Sequence, residues 1–184
     1  MSSFLDKCPI REDIIRGKLG ISSLAVDLDA IVSKKHATVY DDPKTFFEMT
    51  FPTRALCIIA RQVFTRISGK DSTVPGIYML GTALGGGKTH ILASLYHMAS
   101  GGSGILSVEF KKKLADLEFP KCRVAVLTQN SPAGEKNAPR TMWGHMATQL
   151  GGYDIVKEFD HNLQAPSKEA LLELLEGPPT LILL

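Results

Sequence analysis

The stretch that most narrows what this chain can fold into runs Tyr78-Met79-Leu80-Gly81-Thr82-Ala83-Leu84-Gly85-Gly86-Gly87-Lys88-Thr89-His90. An apolar run enters a glycine-rich turn. Lys88 and Thr89 follow at once, and then the helix-forming run Ile91-Leu92-Ala93-Ser94-Leu95-Tyr96-His97-Met98-Ala99. Strand, glycine-rich loop, Lys-Thr and helix, in that order, is the phosphate-binding P-loop arrangement. Glycines let the backbone curl so that successive N–H groups face phosphate oxygens, where a side chain would block the approach. A helix beginning near Gly87 adds its terminal N–H groups and the positive end of its dipole. Lys88 then reaches the β- and γ-phosphates as the catalytic cation, and the Thr89 hydroxyl holds Mg²⁺. The strict pattern G-x-x-x-x-G-K-[ST] puts Thr82 at its first position, with Gly81 one residue early. The bare pattern is therefore missed, and the flanking strand and helix carry the signal. The plainer alternative is a glycine-rich turn with an exposed lysine.

The rest of the chain supplies the context. Residues 1–70 read as a helical lead-in and 71–184 as a partial nucleotide-binding core. In the lead-in, Leu24, Leu28 and Ile31 recur at helical spacing. Asp41-Asp42-Pro43 reads as a turn or a helix start, and Phe46, Phe47 and Met49 follow on a short helix as core residues, or alternatively as a wall of a base pocket. Pro52 to Gly69 reads as a longer helix, capped by Thr50 or Thr53, with Leu56, Ile59, Val63 and Ile67 as its apolar stripe. Arg54, Arg61 and Arg66 lie off that stripe, on a solvated face or facing a nucleotide or nucleic acid. Pro75 to Gly81 is apolar at nearly every position and reads as a strand covered on both sides. Arg123 to Thr128 reads as a second buried strand, with Thr128, Gln129 and Asn130 at its carboxyl end, where open α/β sheets bind ligands; they face a γ-phosphate or bound water, or simply form the turn. Helices follow over 140–150, where Trp143 and Met146 pack, around Ile155 to Phe159, and after a Ser167 cap. Thr180 to Leu184 reads as a third buried strand.

Composition adds exclusions. No apolar stretch approaches the length of a membrane helix. The net charge of +2 makes no case for a nucleic-acid or membrane surface. Cys8, Cys57 and Cys122 are widely spaced and form no metal or disulfide framework. A reducing cytoplasm is the simplest compartment.

The runs Pro9-Ile10-Arg11-Glu12-Asp13-Ile14, Tyr40-Asp41-Asp42-Pro43 with Phe46-Phe47, Thr50-Phe51-Pro52-Thr53, Gly85-Gly86-Gly87-Lys88-Thr89-His90, Arg140-Thr141-Met142-Trp143-Gly144 and Thr180-Leu181-Ile182-Leu183-Leu184 carry a family resemblance. Together they resemble the N-terminal part of large prokaryotic ATP-binding proteins with a domain of unknown function. These proteins are related to AAA+-type ATPases and are often encoded beside DNA methyltransferases and helicases in phage-defence clusters. The resemblance implies ATP and Mg²⁺ as cofactors. It implies nucleotide contacts from Thr82, Gly85, Gly86, Gly87, Lys88, Thr89 and His90, although the residues themselves suggest only packing for His90. It makes Thr82 an accepted variant, and it leaves His145 where the family has an acid. It further implies DNA methyltransferase or helicase partners, and DNA itself, reached through other regions, and a homo-oligomer.

The fold expected is α/β: a truncated P-loop NTPase core of the AAA+ type, a parallel sheet with helices on both faces behind the helical lead-in. In such ATPases the third strand delivers an acid for Mg²⁺. The chain stops at Leu184, where that acid is expected, so it reads as a fragment of an ATPase. A nucleotide-dependent binding module with little hydrolysis is the alternative, and a small-molecule phosphotransferase the third. The adenine pocket is expected around Phe51 to Arg54.

Overall fold

The computed structural model describes residues 10, 12–17, 26–33, 40–81, 83, 85–128 and 138–184. Among these the helices are α1 (Glu12–Ile15), α2 (Leu28–Ser33), α3 (Pro43–Met49), α4 (Arg54–Ile67), α5 (Lys88–Gly101), α6 (Val108–Lys113), α7 (Met142–Leu150), α8 (Tyr153–His161) and α9 (Lys168–Leu175). A 3₁₀ turn (Gly102–Ile105) links α5 to α6, and the strands are β1 (Arg123–Val126) and β2 (Thr180–Leu183).

Local chemistry sets the helix starts. Oxygen-bearing side chains accept hydrogen bonds from first-turn N–H groups that have no partner within the helix. Asp42 accepts from Thr45 N at 2.9 Å, with Pro43 in the first turn of α3. Thr53 accepts from Leu56 N, Thr141 from Gly144 N and Ser167 from Ala170 N, at the starts of α4, α7 and α9. The end of α7 is set by Gly151, whose φ of 78° is the left-handed conformation that glycine adopts without strain.

The expected fold requires correction. Among the described residues the structure is mostly helical and has no extended parallel sheet flanked by helices. Its sheet, among the described residues, is one parallel pair: Arg123 opposite Thr180, Val124 opposite Leu181, Ala125 opposite Ile182 and Val126 opposite Leu183. Pro75 to Gly81, expected as the buried strand before the loop, forms no strand. Ile77 and Met79 are 90% and 95% exposed, while Tyr78 and Leu80 are half-buried. Apolar composition does not make a strand: backbone partners must come from elsewhere in the chain, and among the described residues this segment has none. At β1 the edge away from β2 is closed by a side chain. Gln149 Oε1 accepts from Val126 N at 2.9 Å, and Gln149 Nε2 donates to Val126 O at 2.7 Å. A helix residue thus takes the hydrogen bonds that a further strand would take.

Two apolar clusters hold the elements together. The larger gathers Leu28 and Ile31 of α2, Phe46 and Phe47 of α3, Leu56, Ala60 and Phe64 of α4, Ala93, Leu95 and Met98 of α5, Phe110 of α6, and Val126 and Leu183 of the strands. Residues from both sides of position 70 therefore share one core. The smaller unites Ala125 and Leu127 with Met146, Ala147, Val156 and Leu174. Val126 and Ala125 enter opposite clusters, as the two-residue period of a strand demands.

Candidate functional site

The glycine-rich segment leads directly into α5. Gly85 and Gly87 both have φ of 78°, and an added Cβ at either would meet nothing within 4 Å. Glycine is needed there for backbone conformation rather than for room. Gly87 is the N-cap of α5 and supplies no side-chain cap. The first helical bond runs from Ile91 N to Gly87 O, at 3.0 Å. The N–H groups of the first turn therefore face the exposed loop with no capping oxygen from Gly87, and the helix dipole adds partial positive charge at the same place. Lys88 is half-buried and folds back over the turn, donating from Nζ to Ala83 O at 3.3 Å. Gly86 N donates to the same carbonyl at 3.0 Å. Gly85, Gly86, Gly87 and Thr89 are exposed. Thr82 lies outside the described residues.

His90 faces the other way. Its Nε2 lies 2.9 Å from Thr50 Oγ1, and its ring stacks on Phe46 with centroids 4.7 Å apart and planes 23° apart. Thr50 also donates to Phe46 O at 2.6 Å. Burial pulls the His90 pKa below the ordinary imidazole value. Seven residues on, along the same helix, His97 meets Phe46 at 4.9 Å and sets its Nε2 2.9 Å from Tyr40 O. Burial lowers its pKa also, against the opposing pull of that hydrogen bond and of Asp41 and Asp42. Phe46 thus contacts both imidazoles and joins α3 to α5. Phe46 and Phe47 are fully buried, as the core reading of that helix expects, whereas Met49 is exposed.

Other expected site residues are dispersed. Thr128 lies just beyond β1 and donates to Asp29 of α2. Gln129 and Asn130 lie outside the described residues. Arg61 pairs with Asp116 at 2.6 Å, and Arg66 donates to Ser72 O at 2.9 Å, so both serve local packing. Arg54 is exposed in the first turn of α4. An open groove of about 580 Å³, lined by Gly101 to Gly104 and Leu117 to Pro120, lies at the far end of α5. It is about 20 Å along the helix axis from the loop.

One arrangement was not legible in the sequence. Asp160, 1% exposed, accepts from Thr141 N at 2.8 Å, Thr141 Oγ1 at 2.7 Å, Arg140 N at 3.0 Å and Tyr153 OH at 2.9 Å. Burial pushes its pKa up. The hydrogen bonds from Thr141, Arg140 and Tyr153 outweigh that and hold it below the ordinary value. Gly144 packs against this carboxylate, where a Cβ would lie 2.3 Å from Oδ1. Arg140, Thr141 and Gly144 are thus a seat for a buried carboxylate that anchors α7 to α8.

A family model described as the DUF499 N-terminal domain matches residues 4–116 and 122–184. The chain belongs to that family. The resemblance to a family with a domain of unknown function holds at that level. No curated protein and no solved structure matches the chain significantly. Among the described residues, no helix of this DUF499 domain is long and apolar enough to cross a membrane.

Proposed function

We propose that this domain binds the polyphosphate of a nucleotide, Mg·ATP first among them, at Gly85 to Thr89. The observation that carries the reading is the pair of left-handed glycines leading into a helix start without a side-chain cap, with Lys88 folded over the same turn. The backbone N–H groups and helix dipole would meet the phosphate oxygens. Lys88 Nζ would exchange the Ala83 carbonyl for a β- or γ-oxygen, a stronger, charge-assisted contact. Thr89, exposed beside it, would offer its hydroxyl to Mg²⁺. Family resemblance adds the wider setting: an ATPase working beside DNA-modifying or phage-defence components. That part rests on sequence likeness alone.

Calorimetric titration of the chain with Mg·ATP tests the reading. Saturable binding is expected, weakened about tenfold to a hundredfold by Lys88→Ala, as loss of a charged hydrogen bond implies. Binding that Lys88→Ala leaves untouched would overturn it. Phosphate release, measured in parallel, separates the two modes of use. Turnover abolished by Lys88→Ala favours an ATPase, and binding without turnover favours a nucleotide-dependent switch.

A further inference from the structure

Between α3 and α4 runs the strap Thr50-Phe51-Pro52-Thr53, with burial that reverses at each step. Thr50 is 6% exposed, Phe51 69%, and Pro52 less than 2%. The strap is fixed at both ends. Thr50 is bonded to His90 in the first turn of α5 and to Phe46 O. Thr53 N donates to Phe51 O at 2.8 Å and the Thr53 hydroxyl caps α4. From the side, Lys113 Nζ donates to Pro52 O at 2.7 Å and stands 5.1 Å from the Phe51 ring centroid. The result is an exposed aromatic ring on a held backbone, one residue from a direct contact with the phosphate-loop helix. A lone exposed phenylalanine on a mobile loop needs no explanation. One held between two buried neighbours, with an ammonium against its ring, is a preorganised stacking surface.

We propose that Phe51 is the stacking platform for the base of the nucleotide whose phosphates Gly85 to Thr89 receive, with purines favoured over pyrimidines. This inference rests on the proposed phosphate site and extends it to the other end of the ligand. The Thr50–His90 bond ties the strap to the first turn of α5, the turn whose N–H groups the phosphates would meet. The platform offers an aromatic face and, being a phenylalanine ring, no hydrogen-bond donor or acceptor for a base edge. Discrimination therefore follows stacking area, larger for purines, rather than a hydrogen-bond code.

The test compares ATP, CTP and inorganic tripolyphosphate, each with Mg²⁺, on the wild-type chain, Phe51→Ala, Phe51→Trp and Lys88→Ala. ATP is expected to bind more tightly than CTP and tripolyphosphate. Phe51→Ala should weaken ATP about tenfold, leave tripolyphosphate unchanged and erase the preference over CTP. Phe51→Trp should keep or tighten ATP binding. Lys88→Ala should weaken all three. Equal loss of ATP and tripolyphosphate in Phe51→Ala would mark the strap as structural support and overturn the platform. An ATP affinity unchanged in Phe51→Ala, with Lys88→Ala still defective, would overturn the platform and leave the phosphate site standing. If neither ATP nor tripolyphosphate bound the wild-type chain, the phosphate site itself would fail and the platform with it.

Discussion

Replacing Asp160 by Asn removes a charge and changes almost no volume, so it isolates what the buried carboxylate does. In the wild type, Oδ1 takes Thr141 N, Thr141 Oγ1 and Arg140 N, and Oδ2 takes Tyr153 OH and shares Arg140 N. An amide can keep an oxygen at one position but must set an NH₂ against donors at the other. The loss is that of a charged hydrogen-bond set only partly replaced, about 2 kcal/mol. For a chain of this size that lowers Tm by about 4–8 °C. Removing the side chain entirely, as in Asp160→Ala, leaves buried backbone N–H groups unpaired and should be worse. The pH dependence sharpens the test. The folded-state pKa is lowered, so the carboxylate contributes stability that is fully present above its unfolded value, near 3.8, and lost as pH falls through the folded value. The gap between wild type and Asp160→Asn should be full at about pH 7 and close below about pH 4. Urea melts across that range provide the measurement. No destabilisation at neutral pH, or a gap constant into acid, would refute the reasoning.

Two further substitutions probe neighbouring parts of the account. Gly144→Ala drives a methyl to 2.3 Å from Asp160 Oδ1 and 2.9 Å from Pro139 Cβ. It should destabilise by about 2 kcal/mol, and by less when made in an Asp160→Ala background, since the two changes share one contact. Gly87→Ala meets open space but keeps φ at 78°. It should cost about 1–2 kcal/mol of folding stability from backbone strain, and it should weaken Mg·ATP in calorimetry by displacing the loop N–H groups.

Local signals were readable from the chain. Thr53 and Ser167 cap the helices that their spacing announced, and Gly151 ends α7 as a glycine after an apolar run should, whereas Thr141, expected inside that helix, is its N-cap. The second and third apolar runs became β1 and β2, each ending one or more residues before the expected boundary. The first run did not become a strand. An apolar stretch of seven residues looks the same whether or not a partner backbone lies beside it, and Ile77 and Met79 stand in the open. Without that strand there is no extended sheet among the described residues, and the α/β class that depended on it falls with it. The glycine-rich turn and the helix it opens were legible because Gly85 to Lys88 are contiguous, whereas contacts built from distance were not. The Thr50–His90 bond spans forty residues, and the hydrogen bonds that Asp160 accepts from Arg140 and Thr141 span about twenty. No spacing rule connects such pairs. The only sequence sign of Asp160 is an acid on the helix face that also carries Val156.

The central claim is that Gly85 to Thr89 receives phosphates through its backbone. The most direct measurement is the amide ¹H–¹⁵N spectrum of the labelled chain during titration with Mg·ATP. Saturable shifts centred on the amides of Gly86, Gly87, Lys88 and Thr89, reproduced by tripolyphosphate and lost in Lys88→Ala, are the predicted result. An unchanged spectrum, or shifts centred on the groove between Gly102 and Phe119, would contradict the account.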